Sequence, residues 1–115
     1  MKIKATCHCG NIALKFSTLK DTITQCNCSI CRRLASQWMY FKSDEVKISY
    51  KTHDSKSYEW GDKDISFQHC PLCGCTTHYE GTATSGLDRI AINANMLDAN
   101  TIKNLKTRRF NGAEM

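Results

Sequence analysis

Apolar and polar residues alternate with a period of two along much of this chain. Ile12, Leu14 and Phe16 alternate with Ala13 and Lys15, and Val46, Ile48 and Tyr50 alternate with Lys47 and Ser49. Residues 22–26 are β-branched and extended, and residues 38–41 are aromatic and apolar on both faces. Tyr58 and Trp60 flank Glu59, Ile65 and Phe67 lead into Cys70, and Ile90 and Ile92 follow Asp88. Short runs of this kind with turn residues between them predict strands. No window of a dozen residues carries a 3.6-residue period, so helix is expected only around Ser29–Leu34 and near residues 95–99. The expected fold is all-β. Its expected core is Trp38, Phe41, Val46, Ile48, Tyr58, Trp60, Phe67, Ile90 and Ile92, because half-buried strands need such residues. No cofactor role is assigned to the aromatics.

Length and composition narrow this picture. A chain of 115 residues is expected to form one domain, residues 1–115, with a core of its own. The single proline, Pro71, lies inside a cysteine motif, and no linker divides the chain. Charged residues at 23% and hydrophobic ones at 41% are ordinary for a globular protein, which argues against disorder. No run approaches the roughly 20 apolar residues of a membrane helix. The start has positive charge but no apolar run behind it, so no secretory signal is expected. The expectation is a soluble, cytoplasmic protein with no membrane partner.

Eight cysteines change the picture most. The cytosol keeps thiols reduced, so dense cysteines there point to metal or redox chemistry rather than to disulfides. They fall into three groups: Cys7-His-Cys9-Gly, Cys26-Asn-Cys28-Ser-Ile-Cys31, and Cys70-Pro-Leu-Cys73-Gly-Cys75. In the first and third, a glycine follows the second cysteine at once. It permits a tight turn whose amides face sulfur, which is the build of a zinc knuckle. Structural zinc takes four ligands in a tetrahedron, so two knuckles make one closed site. The middle group offers three thiolates within six residues, and three protein ligands with an open fourth position is the arrangement of catalytic zinc. Ligand counting therefore suggests Cys7, Cys9, Cys70 and Cys73 closed, and Cys26, Cys28 and Cys31 open, with Cys75 left over. Cys75 closing the second site, or all eight thiolates holding one cluster, are the other groupings. A thioredoxin-like role for Cys28-Ser-Ile-Cys31 lacks the strand and long helix it needs, and an iron–sulfur site ranks low.

Charge adds little once metal is considered. The formal net charge is +5, and seven thiolates with two zinc ions would bring it to about +2. Lys103, Lys106, Arg108 and Arg109 form a basic tail cluster that a solvated surface explains. Nucleic acid is not expected as a partner, since no basic stripe with interleaved aromatics is present.

The three cysteine motifs in this order, with Arg32-Arg33 after the second and Phe67-Gln-His before the third, resemble the glutathione-dependent formaldehyde-activating enzyme family, which also includes centromere protein V. Gly86-Leu-Asp-Arg-Ile-Ala-Ile-Asn93 and Met96-Leu-Asp98 resemble that family's closing segments. The resemblance covers residue 3 to about residue 99. It implies a Mss4-like β-tent of short antiparallel sheets with zinc knuckles. It implies two Zn²⁺ per chain, one structural on Cys7, Cys9, Cys70 and Cys73, and one catalytic on Cys26, Cys28 and Cys31. It also implies a carbon–sulfur lyase or synthase joining glutathione and formaldehyde as S-hydroxymethylglutathione, with a small-molecule thiol as partner.

The donor set agrees with thiol chemistry. Three thiolates blunt the Lewis acidity of zinc, so it acidifies water less than a three-histidine site does. Exchange of a substrate thiol into the open position is the more natural task. The alternative is a zinc-stabilised scaffold whose middle site is idle. Arg32 and Arg33 are candidates to meet glutathione carboxylates, since arginine suits planar carboxylates. His69 is a candidate base, although a partly exposed histidine beside a knuckle is the plainer reading. His8, between two ligands, should point away from the metal. His53 and His78 belong to no motif, and Asp88 and Asp98 read as turn or capping residues.

Overall fold

The structure, a computed structural model, describes residues 2–83 and 85–114. Among the described residues ten strands form two sheets. They are β1 (Ile3–Thr6), β2 (Ile12–Phe16), β3 (Thr22–Cys26), β4 (Trp38–Phe41), β5 (Val46–Tyr50), β6 (Lys56–Tyr58), β7 (Ile65–His69), β8 (Thr76–Gly81), β9 (Ile90–Asn93) and β10 (Lys106–Phe110). The helices are short: α1 (Ser29–Leu34) and α2 (Ala99–Ile102). The architecture is all-β, as the alternation predicts. Among the described residues no helix is long and apolar enough to cross a membrane.

The smaller sheet has the order β1-β2-β5, all antiparallel. Its inner face carries Ile12, Leu14 and Phe16, each fully buried, and this is the alternating set read from the sequence. The larger sheet has the order β10-β3-β4-β9-β8-β7-β6. Residues directly opposite in neighbouring strands share a face, so the two faces of this sheet can be read from the register. Met39, Phe41, Ile90 and Ile92 lie on the face that packs with the smaller sheet in one apolar cluster. Trp38, Phe67, Tyr79 and Ala91 lie on the opposite face with Cys31.

Four points depart from the expectations. The sheets are not wholly antiparallel: β10 runs parallel to β3, with Phe110 opposite Cys26. Parallel neighbours need a long crossover, and here it runs through residues 27–105, about two-thirds of the chain. Residues 106–110, read as a solvated basic tail, are this strand, and β8, with Thr76-Thr-His-Tyr-Glu-Gly81, carries no alternation that separates it from loop. The piece near residues 95–99 divides into a 3-10 turn at Ala94–Met96 and the separate α2. Finally, Tyr58 and Trp60 are not core residues: they stand 53% and 43% exposed. They sit on and beyond the edge strand β6, which has a neighbour on one side only.

Candidate metal centre and its cavity

The two knuckles fold as tight turns. In the first, Gly10 N–H donates to Cys7 O at 3.1 Å, and Ile12 N–H donates to Cys7 Sγ at 3.2 Å. In the second, Gly74 N–H donates to Cys70 O at 2.9 Å, and Leu72 N–H reaches Cys70 Sγ at 3.4 Å. Gly10 and Gly74 have φ of +84° and +80°, a conformation that costs any other residue strain. Asn11, buried behind the first knuckle, locks it to the chain beyond β5. Its carboxamide N–H donates to His53 O at 2.8 Å, and its Oδ1 accepts from Thr52 N at 3.0 Å. The same Nδ2 lies 3.7 Å from Cys70 Sγ.

These turns bring Cys7, Cys9, Cys70 and Cys73 together, with every sulfur within 4.8 Å of the others. Cys9 Sγ is 3.7 Å from both Cys7 Sγ and Cys70 Sγ. A tetrahedral zinc with Zn–S of about 2.3 Å sets its sulfurs about 3.8 Å apart, so the spacing fits such an ion. Burial raises the Cys73 thiol, but amides of Cys75 and Cys9 and neighbouring thiols outweigh it and bring it down to about 6. Cys75 belongs to neither group of sulfurs and packs half-buried against the core.

The second group is local. β3 ends at Cys26, Cys28 precedes the first turn of α1, and Cys31 lies within it. Their three sulfurs also fall within 4.8 Å of one another. Trp38 Nε1–H donates to Cys31 Sγ at 3.3 Å, fixing the buried member. Burial pushes Cys31 up to about 12, helped by the negative Cys28 and Cys26 and opposed by Trp38. Burial also acts upward on Cys28, yet the amides of Cys31 and Ile30 and the adjoining thiols hold it below the ordinary value. Thiols this close cannot all ionise without a cation, and N–H donors already face the sulfurs. Both groups could hold a metal ion.

A model of the family described as glutathione-dependent formaldehyde-activating enzyme matches residues 2–111. The chain belongs to this family. A solved structure of a Rhodobacter sphaeroides protein superposes with a TM-score of 0.73, at 20% identity, over 92% of this chain and 100% of that one. The fold is therefore shared and is compatible with the all-β, Mss4-like arrangement that the family resemblance implies. Members of the glutathione-dependent formaldehyde-activating enzyme family act on glutathione–formaldehyde adducts, so membership brings adduct chemistry as the frame for this centre.

A cavity of about 370 Å³ opens beside the second group. Cys26, Cys28 and Cys31 line it, and so do Trp38, Phe67 and Tyr79 from the larger sheet. Tyr40, Trp60, Phe110, Arg89 and Arg108 complete much of its wall. Several of these residues escaped the sequence reading. Arg108 was hidden in the basic tail, yet on β10 a period of two sets Arg108 and Phe110 on the face of the cysteines, Phe110 opposite Cys26. Trp60 faces this cavity instead of the core.

Arg32 and Arg33 stand elsewhere. Arg33 donates to Ser29 O at 2.8 Å, and Arg32 borders a separate hollow with Arg109, so neither lines this cavity. His69 is half-buried on β7 beside the second knuckle, and His8 is exposed. His78 is fully buried on the other face of the sheet, with Nδ1 2.8 Å from Thr77 Oγ1. Asp88 accepts from Ser43 N at 3.1 Å, a long-range contact at the start of the 3-10 turn Ser43–Glu45 and not a turn of its own.

The chain after β10 crosses directly over the second group. Asn27 N–H donates to Phe110 O at 3.2 Å, and Asn27 Oδ1 accepts from Ala113 N at 2.9 Å. Gly112 fits because it has no side chain: a Cβ there would stand 2.6 Å from Cys26 Sγ and 3.1 Å from Cys28 Cβ. Gly112→Ala is expected to displace Cys26 and lower metal affinity at this group alone, by roughly 10- to 100-fold, the usual cost of disturbing the surroundings of metal ligands. Competition with a chelating dye measures it. Equal affinity in variant and parent would show that the strap does not set the sulfur positions.

Proposed function

We propose that this chain is a zinc-dependent carbon–sulfur lyase or synthase acting on a thiol adduct such as S-hydroxymethylglutathione. Cys7, Cys9, Cys70 and Cys73 would hold a structural Zn²⁺, and Cys26, Cys28 and Cys31 a catalytic one. The observation that carries the reading is the cavity: it opens on the three-thiol group, whose donor set leaves room for a fourth ligand. Zinc held by three thiolates supplies a position at which a substrate thiol loses its proton.

The chain's own groups prepare that position. Trp38 N–H orients Cys31 and, with Phe67 and Tyr79, makes a wall that excludes water. Exclusion of water favours addition of sulfur to an aldehyde carbon over loss of the aldehyde to hydration. Burial, with Tyr40 beside it and Arg89 opposing, keeps the Tyr79 phenol above its ordinary value. It therefore stays protonated at neutral pH and can donate toward an oxygen in the cavity. In the net reaction the C–S bond forms as the C=O bond becomes C–OH, and the thiol proton ends on that oxygen. The reverse reaction cleaves the same bond. A reducing, cytoplasmic setting suits a protein whose eight cysteines carry no disulfide among the described residues.

The test is metal content followed by thiol titration of the cobalt-substituted protein. We expect two metal equivalents per chain, with glutathione perturbing the sulfur-to-metal absorption of one of them. Faster appearance of the formaldehyde adduct by NMR completes the case. One equivalent, or two with no response to glutathione, would favour the idle scaffold.

A further inference from the structure

The cavity's chemistry is more specific than its position. Its floor is a continuous aromatic surface: ring centroids of Trp38 and Tyr79 lie 4.9 Å apart, those of Phe67 and Tyr79 5.6 Å, and those of Trp38 and Phe67 6.0 Å. Tyr40, Trp60 and Phe110 add aromatic rim. Formaldehyde carries no group that would use such a surface. A wall of this area is bound best by a ligand with an apolar or aromatic portion.

Two cations share the wall. Arg89 lies over the Tyr40 ring at 4.6 Å, and Arg108 lies over the Phe110 ring at 5.4 Å. Arg108 also reaches Thr24 Oγ1 at 3.4 Å. A guanidinium held over a ring has five N–H donors, and those not used on Thr24 or Tyr79 remain to pair with a planar carboxylate. No Asp or Glu lines this cavity, and among the described residues neither arginine makes a salt bridge. Two arginines held by neutral rings and aromatic neighbours, without an acidic partner, form a site for an anion.

We infer that this cavity selects an anionic thiol adduct with a large apolar or aromatic group, its carboxylate read by Arg89 and Arg108 and its apolar group seated against Tyr40, Trp60 and Phe110 above the buried floor of Trp38, Phe67 and Tyr79. The inference rests on the thiol-adduct reading for its biological meaning, but its test does not. The chain has two tryptophans, Trp38 and Trp60, and both line the cavity, so intrinsic fluorescence reports this site.

The probe is (benzylthio)acetate, a thioether with a ring on one side of sulfur and a carboxylate on the other, which has no thiol to exchange. We expect saturable quenching in the metal-loaded protein. Affinity should fall about tenfold or more for the neutral (benzylthio)acetamide, as for loss of a charged hydrogen bond, and similarly for the ring-free (methylthio)acetate. In Arg108→Gln and Arg89→Gln, both at exposed positions, the acid should bind more weakly while the amide is unchanged. Absence of saturable quenching, equal binding of acid and amide, or equal binding of the benzyl and methyl acids would overturn the inference. If glutathione perturbs the metal and the adduct forms, yet acid and amide bind alike, the selectivity fails and the reaction stands. If acid and amide are discriminated but no thiol exchange occurs, the reaction fails and the binding site stands.

Discussion

Cys70→Ser is expected to unfold at a much lower temperature than the parent. Cys70 is fully buried, receives the Leu72 amide, and sits 3.7 Å from both Cys9 Sγ and Asn11 Nδ2. Serine is a poor ligand at neutral pH, so the proposed structural zinc would lose one donor of four. Binding of structural zinc contributes about 10–16 kcal/mol in zinc-finger peptides, against a total stability of about 5–15 kcal/mol for a domain. Losing even a third of the former costs about 3–5 kcal/mol, a large share of the latter. At about 4–8 °C per kcal/mol for a chain of this size, the melting temperature should fall by roughly 20 °C or more. The loss should be the same whether or not substrate is present. Circular dichroism melts with metal analysis decide it, and a melting temperature within a few degrees of the parent would sink the structural role.

Cys28→Ser should separate chemistry from folding. Cys28 is half-buried at the cavity wall and outside the hydrogen-bonded ladders of both sheets, so replacing it leaves the cores intact. We expect one of two metal equivalents to be lost and adduct formation to drop by more than about 100-fold, beyond the usual effect of disturbing a residue behind a ligand. The melting temperature should stay within about 4 °C of the parent, a cost below roughly 1 kcal/mol. Cys31 is a poorer choice for this test, because its sulfur is buried and accepts the Trp38 N–H. Retained turnover in Cys28→Ser would remove the three-thiol group from the reaction. A collapse of stability would instead make it a second structural centre.

The two variants differ because the two groups of sulfurs are built differently, and this bears on how far each was legible. The middle group is local in sequence: three cysteines within six residues are near one another before Trp38 and the Gly112 strap fix their sulfurs. The knuckles are local as turns, since Cys-x-Cys-Gly and Cys-x-x-Cys-Gly each demand a left-handed glycine. Their meeting is not local. Cys9 and Cys70 are brought to 3.7 Å by the packing of the smaller sheet against the larger one. Ligand counting and family resemblance suggested that pairing without any geometry behind it.

The cavity was the least legible part. Trp60 looked like a core residue because an aromatic beside a strand usually is one, and only its place past an edge strand exposes it. Arg108 looked like solvated tail because Lys106-Thr-Arg-Arg-Phe110 has no apolar alternation. Its strand is defined by pairing with β3, a partner some 80 positions earlier. Arg32 and Arg33 looked better placed for being adjacent in sequence to the cysteines, but α1 turns them away from the cavity.

Sequence by itself determined the all-β class, the alternating strands of both sheets, the knuckle turns and the family. These depend on periodicity, on glycine geometry and on short cysteine spacings, all of them local properties of the chain. The tertiary structure alone decided which strands are neighbours, the parallel pairing of β10 with β3, the strap of Gly112 over Cys26, and the aromatic cavity with its two arginines, which make no salt bridge among the described residues. Those depend on which distant segments bury one another's faces, and the energy of that burial belongs to no segment alone.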